Sequence, residues 1–117
     1  MMTSTGERTS SRTLILVLVV ATAAIHASRA LVAPEIGPLF ALNALGYLGL
    51  AALLYAPSPA LERRRGTVRW VLIAYAVTTI VLFFVWGAMS GDWPLIGFVD
   101  KAIEVALVVL LLRDRRS

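Results

Sequence analysis

The chain has 117 residues, of which 59% are hydrophobic and only 15% charged, and it carries a net charge of +4. Charged residues approach a quarter of an ordinary soluble domain, so this composition excludes that class and places the chain in lipid; its bases sit at the ends of apolar runs, where they act as topology signals rather than as a nucleic-acid surface. The absence of cysteine removes disulfides, thiolate metal sites and redox pairs.

Residues 1–12 are polar, rich in Ser and Thr and without periodicity, which predicts a disordered tail. The first apolar run, Leu14 to Val32, begins like a secretory signal: Arg8 and Arg12, a short apolar core, then Ala21-Thr22-Ala23. It continues to the length of a full span, so a helix over 13–33 is the expectation, with a cleaved signal in residues 1–23 as the alternative. Ala33 to Pro38 reads as a turn, because two prolines and a glycine interrupt the helix. The second run, predicted helical over 38–56, has no charge and many small residues, among them Ala41, Ala44, Gly46 and Gly49, suited to close helix approach.

Pro57 and Pro59 stop that run, and Glu62 to Gly66 forms a basic loop. A third helix is expected over 68–89, with Trp70 and Trp86 toward its ends as interface aromatics, followed by a turn at Ser90 to Pro94. The fourth helix, over 94–113, holds Asp100, Lys101 and Glu104 and leads into a basic tail, 114–117. On an insertion scale three such charges cost roughly 8–10 kcal/mol, against about 4–7 returned by the apolar residues around them. Alone, this helix is marginal; its charges demand partners on other helices, water or a second subunit.

Of the eleven Lys and Arg residues, only Arg29 and Lys101 lie inside apolar runs; Arg8, Arg12, Arg63, Arg64, Arg65, Arg69, Arg113, Arg115 and Arg116 all fall on one side of a four-span arrangement. The positive side stays cytoplasmic. The predicted fold is therefore an all-α membrane protein, an up-down bundle of four transmembrane helices in the cell (inner) membrane, with both termini cytoplasmic.

That orientation allows depths to be compared. His26 falls about 5 Å, Asn43 about 6–7 Å and Asp100 about 5–6 Å toward the outer face from the middle of their spans, with Thr79 and Glu104 near the centre. Helical spacing puts Thr22, His26 and Arg29 on one stripe, Asn43 and Tyr47 on another, Thr79 and Trp86 loosely on a third, and Lys101 and Glu104 on a fourth. The expected site is a proton, ion or small-ligand relay of His26, Asn43, Asp100, Lys101 and Glu104, lined by Thr22, Arg29, Tyr47, Thr79 and Trp86. Asp100, Glu104 and Lys101 sum to −1, so one carboxylate needs a proton, His26, Arg29 or water.

With one histidine and Met89 near the rim, the sequence predicts no metal and no cofactor, and the absence of a phosphate loop, an H-E-x-x-H motif or a paired nucleophile and base argues against an enzyme. The stretches H-A-S-R-A-L-V-A-P from His26, L-F-A-L-N-A-L-G-Y from Leu39 and G-F-V-D-K-A-I-E-V from Gly97 resemble small four-helix integral membrane proteins of uncharacterised function. That resemblance covers 14–112 and implies no activity. The chain departs from the small multidrug transporters, whose single essential acid is on the first helix, where this chain has His26. The sequence thus supports a small multi-pass protein that binds or conducts a proton, ion or polar ligand, with the bilayer and a homo-oligomer or partner membrane subunit as its partners. The alternatives are an accessory subunit whose polar cluster specifies helix packing and, third, a membrane enzyme.

Overall fold

A computed structural model describes residues 4–32 and 35–113, with side chains from Ser11 onward, and within them the chain is all helix and turn. The elements are α1 (Ser4–Val32), α2 (Gly37–Leu54), a single-turn α3 (Pro59–Arg63), α4 (Arg65–Ser90) and α5 (Leu95–Arg113). Proline sits in the first turn of α2 and of α3, where its fixed φ suits a helix start and its missing N–H removes nothing. Gly91, with φ 73°, caps α4 in the left-handed conformation and donates its N–H to the Gly87 carbonyl.

The largest departures from the expected boundaries are at α1, the basic loop and α4, while α2 ends at Leu54 rather than 56. The α1 backbone is helical from Ser4, upstream of the expected start at 13 and through most of the stretch expected as a disordered tail. Once the apolar part of α1 exists, extension toward the N-terminus needs only propagation and no new nucleus. The basic loop folds partly as α3, and α4 starts at Arg65 rather than 68. Residues 1–3, the turn residues 33–34 and the tail 114–117 lie outside the described residues.

The four long helices form a closed ring in which α1 packs on α2 and α5, and α4 packs on the same two. Neighbours run antiparallel: Tyr55, the residue after α2, faces Arg12 of α1, whereas Phe40 of α2 faces His26, and Leu111 of α5 faces Arg69 of α4, whereas Gly97 faces Phe83. One end of the ring therefore holds Arg12, Arg65, Arg69 and Arg113, and the other holds the two turns.

Each helix buries one stripe, and the stripe changes character along its length. Toward the basic end it is apolar, with Ile15 and Val19, Ala51 and Leu54, Leu72 and Ala76, and Leu107 and Leu111. Toward the other end the same stripes continue as Thr22 and His26, Tyr47, Thr79, and Asp100, Lys101 and Glu104. Gly46 admits the Tyr75 ring, whose hydroxyl would stand 2.1 Å from a Cβ there, so part of the small-residue content of α2 does serve close approach.

The outer surface is the reverse of a soluble protein's: Leu31, Leu39, Leu42, Leu45, Met89 and Leu95 are all exposed. Ser11–Val32, Gly37–Leu54 and Arg65–Ser90 are long and apolar enough to cross a membrane. α5 has the length as well, with 19 residues, but carries the three charges.

Candidate functional site: a buried four-helix polar cluster

Glu104, fully buried, stands at the centre of the polar layer because a side chain from each neighbouring element reaches it. Its Oε2 accepts from Tyr47 Oη at 2.7 Å and from Thr79 Oγ1 at 2.7 Å, with Thr22 Oγ1 further away at 3.4 Å. Its Oε1 accepts from Lys101 Nζ at 2.5 Å. Tyr47, Thr79 and Lys101 each have a hydrogen to give, whereas that of Thr22 goes to Asp100, so three donors converge on Glu104 and the site is built to hold it as a carboxylate. Tyr47 is held in turn by the edge of the Tyr75 ring, whose centroid lies 4.8 Å away; Thr79 Oγ1, 3.0 Å from the Tyr47 hydroxyl, adds no hydrogen bond while both hydroxyl hydrogens point to Glu104.

Asp100 lies one turn along α5. Its Oδ1 takes the single hydroxyl proton of Thr22 at 2.5 Å, and its Oδ2 is 3.0 Å from Lys101 Nζ. Lys101 is therefore a built-in counter-ion between two carboxylates, with its ammonium 5.5 Å from the centre of the Phe83 ring. Phe83 reaches that position by packing on Gly97, where a Cβ would stand 2.3 Å from the ring.

His26 completes the layer. Its Nδ1 is 2.8 Å from the Thr22 carbonyl, which only accepts, so Nδ1 carries a hydrogen. The other ring nitrogen, Nε2, faces Asp100 Oδ2 at 3.6 Å, beyond hydrogen-bond length but within ion-pair range. A lone pair facing a carboxylate oxygen repels it; a proton on either atom makes the contact attractive. The pair therefore has room for one proton.

Seven of the expected residues thus meet: Thr22, His26, Tyr47, Thr79, Asp100, Lys101 and Glu104. Asn43, Arg29 and Trp86 do not join them. Asn43 Oδ1 is buried without a hydrogen-bond partner, and it is the Asn43 backbone carbonyl that is used, by Tyr75 Oη at 2.8 Å. Arg29 is half-buried and makes no ion pair among the described residues. Trp86 is exposed, because Gly87 takes the inward position on α4 and Trp93, from the following turn, covers it. Trp93 and Phe98, which the sequence did not single out for the site, form with Phe83 and Phe84 an aromatic cluster between α4 and α5, of which Phe83 reaches the Lys101 ammonium.

One ligand atom from each of His26, Asp100 and Glu104 lies within 4.8 Å of the others, a donor set suited to a divalent cation. An ion there would take the place that the Lys101 ammonium fills against both carboxylates. Comparison with protein-family models, with curated proteins and with solved structures gives no match for the chain.

Removing one hydroxyl checks the donor accounting. Tyr47→Phe leaves Glu104 short of a donor, and a hydrogen bond to a charged group contributes about 1.5–3 kcal/mol, against about 0.6 for an average interhelical bond in lipid. Equilibrium unfolding in mixed micelles is expected to show a loss in the upper range, while Tyr75→Phe, which bonds only a backbone carbonyl, stays near the lower value.

Proposed function

We propose that the chain is an inner-membrane protein whose four long helices all cross the bilayer, with both termini cytoplasmic, and that its buried cluster takes up and passes a proton. The observation that carries the reading is the His26 ring: Nδ1 is committed to the Thr22 carbonyl and Nε2 is aimed at Asp100, which leaves one vacancy for a proton between two ionisable groups.

Charge accounting supports it. Asp100, Glu104 and Lys101 sum to −1, and a single proton on the His26 and Asp100 pair makes the cluster neutral, the state a low-dielectric interior favours. Burial supports the fourth span: Asp100, Lys101 and Glu104 of α5 are buried in the bundle, so its lipid-facing side presents Val99, Val105 and Val109. The grouping of arginines at one end supports the orientation. Every charge has an intrachain partner, so the cluster itself no longer requires a second subunit, and a homo-oligomer would rest on the lipid-facing surface instead.

The satisfied state of Glu104 favours a second role within the same cluster, that of locking the helices together. The two halves divide the work: Glu104 and Lys101 hold the packing, and His26 and Asp100 exchange the proton. The test is the decay of an imposed pH gradient in liposomes of the purified full chain. Decay faster than in protein-free liposomes supports proton passage; identical decay leaves the packing role alone.

A further inference from the structure

Arg69 is a second buried charge, and unlike the cluster it has no counter-ion. Its side chain is more than nine-tenths buried, and among the described residues no carboxylate lies within ion-pair distance of it. Nη1 donates to the Leu111 carbonyl at 3.3 Å, the guanidinium carbon is 5.1 Å from the Trp70 ring centre, and Nε is buried with no hydrogen-bond partner. A buried charge without compensation is strongly destabilising, so this position calls for an anion.

The surroundings gather positive charge rather than dissipate it. Arg69 is one turn beyond Arg65 on the same face of α4, a like-charge i, i+4 pair that opposes the helix unless something negative bridges it. Arg65 is held in place by its Nε bond to the Leu54 carbonyl at 2.8 Å. The first turn of α4 contains no acid and its N-cap, Arg64, makes no side-chain cap, so the positive end of the helix dipole is unanswered as well. Arg12 of α1 stands across the same end, 4.8 Å from the Tyr55 ring centre.

We propose that Arg69 and Arg65 bind the phosphate of an anionic lipid headgroup, with Arg12 at the margin of the site. Phosphate accepts from guanidinium N–H groups, and the unpartnered Nε of Arg69 leaves such a donor unanswered at this end of the bundle. The level of the site selects lipid over a soluble anion: Trp70 and Val71, both exposed, begin the apolar band next to Arg69, and the basic loop precedes it, so the guanidinium lies where headgroup phosphates lie. The site depends on the chain residing in a bilayer and is independent of proton exchange at His26 and Asp100.

Native mass spectrometry of the full chain from nanodiscs tests it. Phosphatidylglycerol is expected to remain bound in preference to phosphatidylcholine. Arg69→Gln is expected to lower that occupancy about tenfold, equivalent to roughly 1.4 kcal/mol, whereas Arg64→Gln, which removes an exposed charge from the same end, changes it less than about twofold. Arg69→Lys, which keeps the charge without the fork, is expected to fall between the two, and with Arg65→Gln it carries the test if Arg69→Gln does not fold. Equal losses in Arg69→Gln and Arg64→Gln would mean diffuse attraction and overturn the site. Inorganic phosphate displacing the lipid from detergent-solubilised protein would overturn the choice of lipid. A fall in wild-type thermal stability on Asp114→Asn, with no lipid retained, would mean that Arg69 finds its anion within the chain, and would overturn the proposal. None of these readouts depends on proton flux, so failure here leaves the proposed function standing.

Discussion

Asp100→Asn is expected to bring pH-gradient decay in liposomes down to the protein-free rate while leaving the helices assembled. The asparagine keeps an oxygen for Thr22 Oγ1, now at 2.5 Å from Oδ1, so the tie between α1 and α5 survives; its amide nitrogen takes the place of Oδ2, where it donates toward His26 Nε2 and leaves Lys101 to Glu104 alone. It removes one of the two groups proposed to share a proton across the 3.6 Å gap to His26 Nε2. It also leaves Glu104 and Lys101 as a balanced pair, so the cluster becomes neutral with no proton bound. Loss of flux with an unchanged circular-dichroism spectrum and yield fits this account; wild-type flux in the variant would place the proton elsewhere.

Lys101→Met is expected to have the largest effect on stability. It strips the ammonium that contacts both buried carboxylates, and breaking a buried pair by removing one partner costs about 3–5 kcal/mol. Glu104→Gln alone is also destabilising, because the amide nitrogen it introduces would face the Lys101 ammonium across the position now bonded at 2.5 Å, or else turn away from Tyr47 and Thr79. The double variant, Lys101→Met with Glu104→Gln, removes charge of both signs together. It should be less destabilised than the sum of the two, with an interaction energy of about 0.5–3 kcal/mol by denaturant titration. Additivity would show that the two residues do not act as a pair.

The predictions differ between Asp100 and Glu104 for a reason the sequence does not contain. Both are acids on one face of α5 at an i, i+4 step, and by type and depth Glu104 was as good a proton site as Asp100. Their roles separate only when donors are counted: Tyr47, Thr79 and Lys101 converge on Glu104, and His26 faces Asp100. Which helices lie beside α5, and in what register, is a tertiary fact.

The level of the layer was more accessible. Proline and glycine marked the turns, length marked the runs, and a rise of about 1.5 Å per residue placed Thr22, His26, Tyr47, Thr79 and the α5 charges within reach of one another. Facing was the weaker inference. Asn43 sits at the edge of a stripe centred on Ala44, Tyr47 and Ala51, and Trp86 is a single position, about 100°, from the inward-facing Gly87. An error of one position on a helical wheel decides whether a polar or aromatic side chain meets the interior. The five-residue α3 is too short to produce any period at all. Arg69 was counted with the basic flanks, because sequence records its charge and not its burial.

The chain contains one histidine, so protein labelled with ¹⁵N in the histidine ring reports on His26 alone. Solid-state NMR in lipid across a pH series is expected to show Nδ1 as an N–H throughout, held by the Thr22 carbonyl, and Nε2 changing its environment in one step as the shared proton arrives. A spectrum with Nδ1 bare and Nε2 permanently protonated, or with Nε2 indifferent to pH, would mean that no vacancy for a proton exists between His26 and Asp100, and would contradict the account.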